Sequence, residues 1–258
     1  RHMILQEIYH YRYLLRELVL RDIRKKYRRS VLGVLWSILN PLLMMSVTAM
    51  VFSTLFRFSI ENYPLYLLVG QIMFNFFSES TTFAMTSVLE NGSLLKKIYV
   101  PKYLFPLSRV ISSCINLLFT LPALVIILLV TGQALTWGML TFIFPLVLLF
   151  FFCIGFGLLL STMVVYFRDV YHLYGVFITL LSYSTPVFYP EDIVPSEYRG
   201  LLFYNPLYYF VKAFRQSLYS GYMPDGMLLL ICGVFTVVLM AVGLWAFKKY
   251  ENHFILYI

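Results

Sequence analysis

Residues 110–167 read VISSCINLLFTLPALVIILLVTGQALTWGMLTFIFPLVLLFFFCIGFGLLLSTMVVYF, a run with no Asp, Glu, Lys or Arg. A helix needs about 20 apolar residues to cross the hydrocarbon layer of a bilayer, so this run holds two crossings. Thr131-Gly132-Gln133 supplies the turn between them, since glycine punctuates a helical pattern. Spans over 104–130 and 138–166 are expected.

Working outward, the same reasoning finds four more spans, at 30–56, 64–88, 170–189 and 227–247. The composition agrees. Sixty per cent of the residues are hydrophobic and 12% are charged, against about 25% charged in a soluble domain. A lipid-facing surface removes the need for surface charge. The expected fold is an all-α integral membrane protein with six transmembrane helices in a single domain, 3–258.

Two segments do not span. Residues 3–29 form an amphipathic helix, with Ile4, Ile8, Tyr11, Leu15 and Leu18 on one stripe and Gln6, His10, Glu17, Arg21 and Arg24 on the other side. It runs into Lys25, Lys26, Arg28 and Arg29. Such a helix lies in the membrane interface, or packs on a soluble partner. Residues 190–226 mix four prolines with Phe203, Tyr204, Tyr208, Tyr209 and Phe210. Interfacial aromatics point there to short re-entrant helices before the last span, with a plain surface loop as the alternative. Arg1-His2 before Met3 reads as a tag remnant, and no cleavable signal sequence is expected.

The net charge is +8, yet its placement argues against nucleic acid. Nine of the twenty Lys and Arg fall within the first 29 residues, and most others flank apolar runs. With the N-terminus inside and six crossings, sixteen basic residues lie inside and four (Arg57, Arg199, Lys212, Arg215) outside. That distribution obeys the positive-inside rule and sets both termini in the cytoplasm.

The chemistry expected of an enzyme is missing. The chain has no G-x-x-x-x-G-K-[ST] loop for ATP, no His-Glu-x-x-His and no paired carboxylates inside a span. The three cysteines and four histidines are scattered, so no metal site is visible. A membrane-embedded glycosyl- or acyltransferase would need such a cluster. The chain therefore moves a substrate rather than converting it, and a channel is the remaining non-enzymatic rival.

Some residues stand out as candidates for that task. Glu79 is the one acidic residue within a span. Such a residue is costly and often functional; it faces a pathway or partner, or bonds to the hydroxyls of Ser78, Ser80, Thr81 and Thr82. Trp36, Phe76, Tyr171, Tyr174, Phe177 and Tyr183 are candidate pathway aromatics, because aromatic faces stack on the C–H faces of sugars; ordinary helix packing is the alternative. Loop 90–103 is basic and partly apolar, through Leu94, Leu95, Lys96, Lys97, Tyr99, Pro101 and Lys102. A bare loop has no use for those apolar residues, whereas a docking helix does.

Four motifs in order carry a family resemblance. They are Tyr27-Arg28-Arg29-Ser30-Val31-Leu32-Gly33-Val34-Leu35-Trp36 running to Asn40-Pro41-Leu42; Leu95-Lys96-Lys97-Ile98-Tyr99-Val100-Pro101-Lys102 with Pro106-Leu107; Tyr166-Phe167-Arg168-Asp169; and Thr185-Pro186-Val187-Phe188-Tyr189-Pro190 with Tyr204-Asn205-Pro206-Leu207. In this the chain resembles the ABC-2-type permeases that export polysaccharide, O-antigen or teichoic acid. Val100 and Lys102 stand where that family often has Phe and Arg.

The resemblance implies a homodimer in the bacterial cytoplasmic membrane, joined to two ATPase subunits that hold ATP and Mg, with no cofactor on this chain. It implies a lipid-linked glycan substrate, a coupling helix in loop 90–103, and outer re-entrant helices in 190–226. Lys25, Arg28 and Arg29 are then placed to meet a lipid pyrophosphate, or serve only to anchor the chain at a membrane lipid surface. Arg168 and Asp169, at the cytoplasmic end of the fourth span, are expected to form a structural or coupling ion pair. An ABC-2 exporter of a drug or simple lipid would share the fold.

Overall fold

The structure, a computed structural model, describes residues 3–258, with side chains from Gln6 onward. Arg1-His2 and the side chain of Ile4 lie outside the described residues. Every regular element among the described residues is helical.

The amphipathic segment is two helices, α1 (Met3–His10) and α2 (Arg12–Tyr27), meeting at Tyr11. Then come α3 (Trp36–Leu55), entered through a 3-10 turn at Gly33–Leu35, α4 (Tyr63–Glu90) and the single-turn α5 (Gly92–Leu95). After them run α6 (Leu104–Thr131), a 3-10 stretch at Trp137–Phe142 and α7 (Ile143–Tyr166). The chain continues through α8 (Val170–Ser184), the short α9 (Ser196–Leu202), α10 (Pro206–Leu218) and α11 (Gly226–Tyr250), ending in a 3-10 segment, Glu251–Leu256.

Local chemistry sets the boundaries. Gly132 ends α6 in the left-handed conformation (φ +68°), and Gln133 N–H returns to the Leu128 carbonyl at 3.1 Å, a closure that glycine makes without a Cβ penalty. Pro206 starts α10, and the Asn205 side chain accepts from Leu207 N–H at 3.0 Å. There the proline fixes φ where no donor is lost, and the asparagine caps a free N–H.

Four helical stretches are long and apolar enough to cross a membrane: Gly33–Leu55, Leu104–Thr131, Trp137–Tyr166 and Gly226–Leu256. Helix α4 has 28 residues, about 42 Å of rise, but Gln71, Asn75, Ser78 and Glu79 lower its hydropathy. Helix α8 is shorter than the expected span 170–189. Its 15 residues rise about 22 Å against a hydrocarbon core of about 30 Å. It stops at Ser184 because Pro186 disfavours helix at Thr185, which is extended at ψ 134°.

Helix α4 is the central post, packed by α3, α6, α7 and α10. Leu65, Leu67, Leu68, Phe77, Ala84 and Val88 on it are buried. Helices α7 and α11 touch backbone to backbone where Gly155 meets Gly243: a Cβ at Gly243 would lie 2.0 Å from the Gly155 carbonyl oxygen. Small residues permit such an approach. By contrast α3 and α8 are peripheral, with Met45 and Tyr174 their only buried residues.

The two ends of the bundle differ. Helices α1 and α2, α5, the start of α6, the α7–α8 turn and segment 251–258 gather at one end, termed here the basic end. Segment 185–226 gathers at the other, against the starts of α4 and α11 and the end of α6. Helix α10 is amphipathic and packs Leu207, Phe210, Val211 and Phe214 inward.

Candidate functional site

At the basic end α2 lies across α6 of its own chain, with Leu18 and Val19 buried. This adds an intramolecular contact to the interfacial placement expected for the segment, and leaves most of α2 exposed or half-buried. A set of polar residues on its inner side makes the contact. Asp22 is 3.4 Å from Arg109 of α6, and Arg109 lies 2.6 Å from Glu90 of α4. Arg21 donates to the Asn91 side-chain oxygen at 3.0 Å.

Where α2 ends, Arg28 is extended and Arg29 (φ +71°) and Gly33 (φ +51°) are left-handed. The chain turns there into α3. A cavity of about 450 Å³ opens beneath the turn, between the end of α2, the start of α3, and the middles of α4 and α6. One network frames it. Glu79 Oε1 accepts from Lys26 Nζ at 2.9 Å and from Asn116 Nδ2 at 3.0 Å. Asn116 Oδ1 in turn accepts from Tyr27 O–H at 3.1 Å, and Tyr27 meets Ser37 Oγ at 2.5 Å. The neighbouring hydroxyls are not partners of Glu79, since Ser80 and Thr81 donate to the Phe77 carbonyl of their own helix. A carboxylate inside a span is tolerated when it is paired and hydrogen-bonded, and this one pairs across three helices.

Two of the six expected aromatics, Trp36 and Phe76, line this cavity. The others do not. Tyr174 is buried between α4, α7 and α8, with its hydroxyl 2.5 Å from Thr81 Oγ1 and its ring against Phe156. Tyr171, Phe177 and Tyr183 are exposed on α8. A spacing of three residues turns a helix by about 300°, so Tyr171 and Phe177 diverge to either side of Tyr174.

A second cavity, of about 590 Å³, lies along the C-terminal part of α2 and its exit and is lined by Glu17, Arg21, Arg24, Lys25, Arg28 and Arg29. The three cations singled out from the sequence therefore share one concavity. It is suited to a phosphate, whose oxygens guanidinium groups bind in pairs.

Loop 90–103 contains a helix of one turn only. Leu95 is buried in the chain's own core and Leu94 packs against it, so these leucines are not presented outward. The outward apolar groups are Ile98 and Tyr99, the latter 97% exposed. Lys96 and Lys102 are held by the last segment: Lys96 Nζ donates to the Ile258 carbonyl and Lys102 Nζ to the Glu251 carbonyl, both at 2.6 Å. Phe254 is fully buried beside them. A groove of about 720 Å³ runs between α1, this loop and the last segment, past Lys97, Tyr99 and Pro101.

Arg168 and Asp169 do not form an ion pair. Arg168 donates instead to the Tyr257 carbonyl at 3.3 Å, which ties the α7–α8 turn to the segment that also holds Lys96 and Lys102. The Arg168 guanidinium is engaged by that carbonyl and not by Asp169, the residue at the start of α8.

One residue, counted from the sequence only among the four outer basic residues, commands the opposite end. Arg215 is buried in α10, with its Nη2 donating to the Val187 carbonyl at 2.7 Å and to the Tyr66 carbonyl at 3.3 Å, and its Nη1 to the Pro186 carbonyl. Its guanidinium carbon sits 3.5 Å from the Tyr66 ring centroid. The sequence carried a signal: residues 207, 210, 211, 214 and 215 share one helical face, which puts an arginine on an apolar stripe.

The family model for ABC-2 type transporters matches residues 13–219. The chain belongs to that family. Relatives of this ABC-2 protein cover nearly its whole length. It is 31% identical to the O-antigen export system permease protein RfbA of Myxococcus xanthus over 253 residues, 97% of each chain. It is 30% identical to the protein of that name from Klebsiella pneumoniae over 241 residues, 91% of this chain and 90% of that one. The polysialic acid transport protein KpsM of Escherichia coli is 24% identical over 242 residues, 91% of this chain and 92% of that one. The matched region takes in both cavities, loop 90–103 and Arg215.

Proposed function

We propose that this chain is the permease subunit of an ATP-driven exporter that carries a lipid-linked polysaccharide, of O-antigen, capsular or teichoic-acid type, across the bacterial cytoplasmic membrane. The observation that carries the reading is near-full-length similarity to O-antigen export permeases. ATP and Mg belong to a separate ATPase. In this reading α3, α4, α6, α7, α8 and α11 are the six crossings, with α8 completed by the extended residues 185–189. The basic end faces the cytoplasm and carries both termini, in keeping with the positive-inside rule. Segment 190–226 forms the outer re-entrant cap.

The roles follow from placement. The cavity over Lys25, Arg28 and Arg29 receives the lipid pyrophosphate. The groove past Lys97, Tyr99 and Pro101 seats the ATPase, and the tie from Arg168 through segment 251–258 to Lys96 and Lys102 carries its stroke to α8. The peripheral helices α3 and α8 supply the homodimer contact and the pathway wall.

The test is ATP hydrolysis by the reconstituted permease–ATPase pair, with and without a lipid-pyrophosphate-linked glycan. Stimulation that disappears on Lys97→Glu with Pro101→Ala supports the reading. An assembled pair that answers only to drugs or simple lipids overturns the substrate, and failure of any ATPase to associate overturns the exporter.

A further inference from the structure

The cavity framed by Lys26 and Glu79 holds more polar groups than the protein uses. Asn40 of α3 and Asn75 of α4 line it, are exposed, and have no hydrogen-bond partner among the described residues. Ser113 of α6 also lines it, is 2% exposed, and has an Oγ with no partner. A buried hydroxyl without a hydrogen-bond partner is unfavourable. Of these groups the Ser113 hydroxyl is the buried one without a partner, and the two exposed amides beside it are open to a ligand.

Charge decides the kind of ligand. The formal charges facing the cavity are Lys26 and Glu79, 2.9 Å apart and mutually neutralising. The other polar side chains are all amides and hydroxyls, among them Asn40, Asn75, Asn116, Ser37, Ser113 and Tyr27. A phosphate placed here would meet a carboxylate and no free cation. A polyhydroxylated ring would meet amides that both donate and accept, with the Trp36 ring available to stack on its C–H face. The volume, about 450 Å³, lies in the ordinary range for small-ligand sites, about 300–1,000 Å³.

Position agrees with chemistry. Lys25 lines the cationic cavity, and the next two residues, Lys26 and Tyr27, line the neutral one. Glu79 lies eleven residues before the end of α4, about 16 Å along the helix, so the neutral cavity reaches inward from the basic turn. A ligand with phosphates at the turn and a sugar beyond them spans both.

We infer that the neutral cavity is a subsite for the first sugar of the lipid-linked glycan, reading it through Asn40, Asn75 and Ser113 while the pyrophosphate rests over Lys25, Arg28 and Arg29. This rests on the export reading above.

The test uses the full chain in lipid nanodiscs, titrated with polyprenyl-pyrophosphate N-acetylglucosamine and with sugar-free polyprenyl pyrophosphate. Binding is followed by native mass spectrometry and Trp36 emission. The sugar-bearing lipid is expected to bind about tenfold tighter, equal to about 1.4 kcal/mol. The double variant Asn40→Leu/Asn75→Leu is expected to collapse that preference by weakening the sugar-bearing lipid. Equal binding of the two lipids to the wild type overturns the subsite and leaves the export reading standing, as does a preference that survives in the double variant. A change of oligomeric state in the double variant assigns the amides to a second copy of the chain and also overturns it. Binding of neither lipid overturns both readings.

Discussion

Replacing Arg215 with methionine removes a buried cation while keeping most of its volume. Two carbonyls, those of Pro186 and Val187, lose their donors. They lie just past the end of α8, where the helix cannot supply others. Each stranded acceptor costs about 1–3 kcal/mol, and the lost stack on Tyr66 about 2 kcal/mol in a desolvated setting. Relief of the desolvated charge offsets part of this, leaving a net loss of about 3 kcal/mol. For a chain of this size that is about 6–12 °C in Tm, measured by thermal unfolding in detergent. Hydrogen exchange should rise in 185–189 and 206–218 and stay unchanged at the basic end. Gly70→Ala gives an independent check, because its Cβ would fall 2.7 Å from Arg215 Nη2 and displace the same guanidinium. An Arg215→Met protein with wild-type Tm and wild-type exchange in both segments would refute the view that this arginine staples α10 to the end of α8.

Three further outcomes are expected. Gly243→Ala should separate α7 from α11, since the added Cβ meets a backbone oxygen that cannot move aside; overpacking of this kind costs about 1–3 kcal/mol, read as a lower Tm. Phe254→Ala should cost about 3–5 kcal/mol locally and free loop 90–103, seen as faster exchange in 92–103 with 206–218 unaffected. Burial holds the Glu251 carboxyl above its ordinary value, against the opposing pull of Lys102 and Lys248. A carboxyl whose folded pKa is raised favours the folded state below its unfolded pKa and loses that contribution as pH rises through the folded value. Glu251→Gln should therefore raise Tm at pH 7.5 and leave it unchanged near pH 4; equal Tm at both pH values would refute this.

The pairings at the candidate site were only partly legible in the sequence. Glu79 stood out because a carboxylate in an apolar run is costly wherever it goes, but its partners Lys26 and Asn116 lie 53 and 37 residues away. Asp22 and Arg109, far apart in the sequence, are joined only by the packing of α2 on α6. The basic residues of loop 90–103 looked free for a partner, yet two of them are taken by carbonyls of the last segment. Hydrogen-bond partners across helices have no fixed sequence spacing, so no local pattern announces them.

What the sequence determined by itself was everything set by solvent and period. Long uncharged runs had to become helices buried in lipid, because hydrocarbon offers the backbone no hydrogen bonds. The clustering of lysine and arginine separated the two ends, because charge must reach water or an anionic surface. The motif order carried the resemblance to a family. Only the tertiary structure decided which polar groups meet inside the membrane: that Trp36 and Phe76 share a cavity with Glu79, that Tyr174 is core rather than wall, and that Arg215 holds the end opposite the termini. Those outcomes depend on how helices far apart in sequence cross. The crossings are set by close contacts such as Gly155 against Gly243, which appear only once both helices are in place.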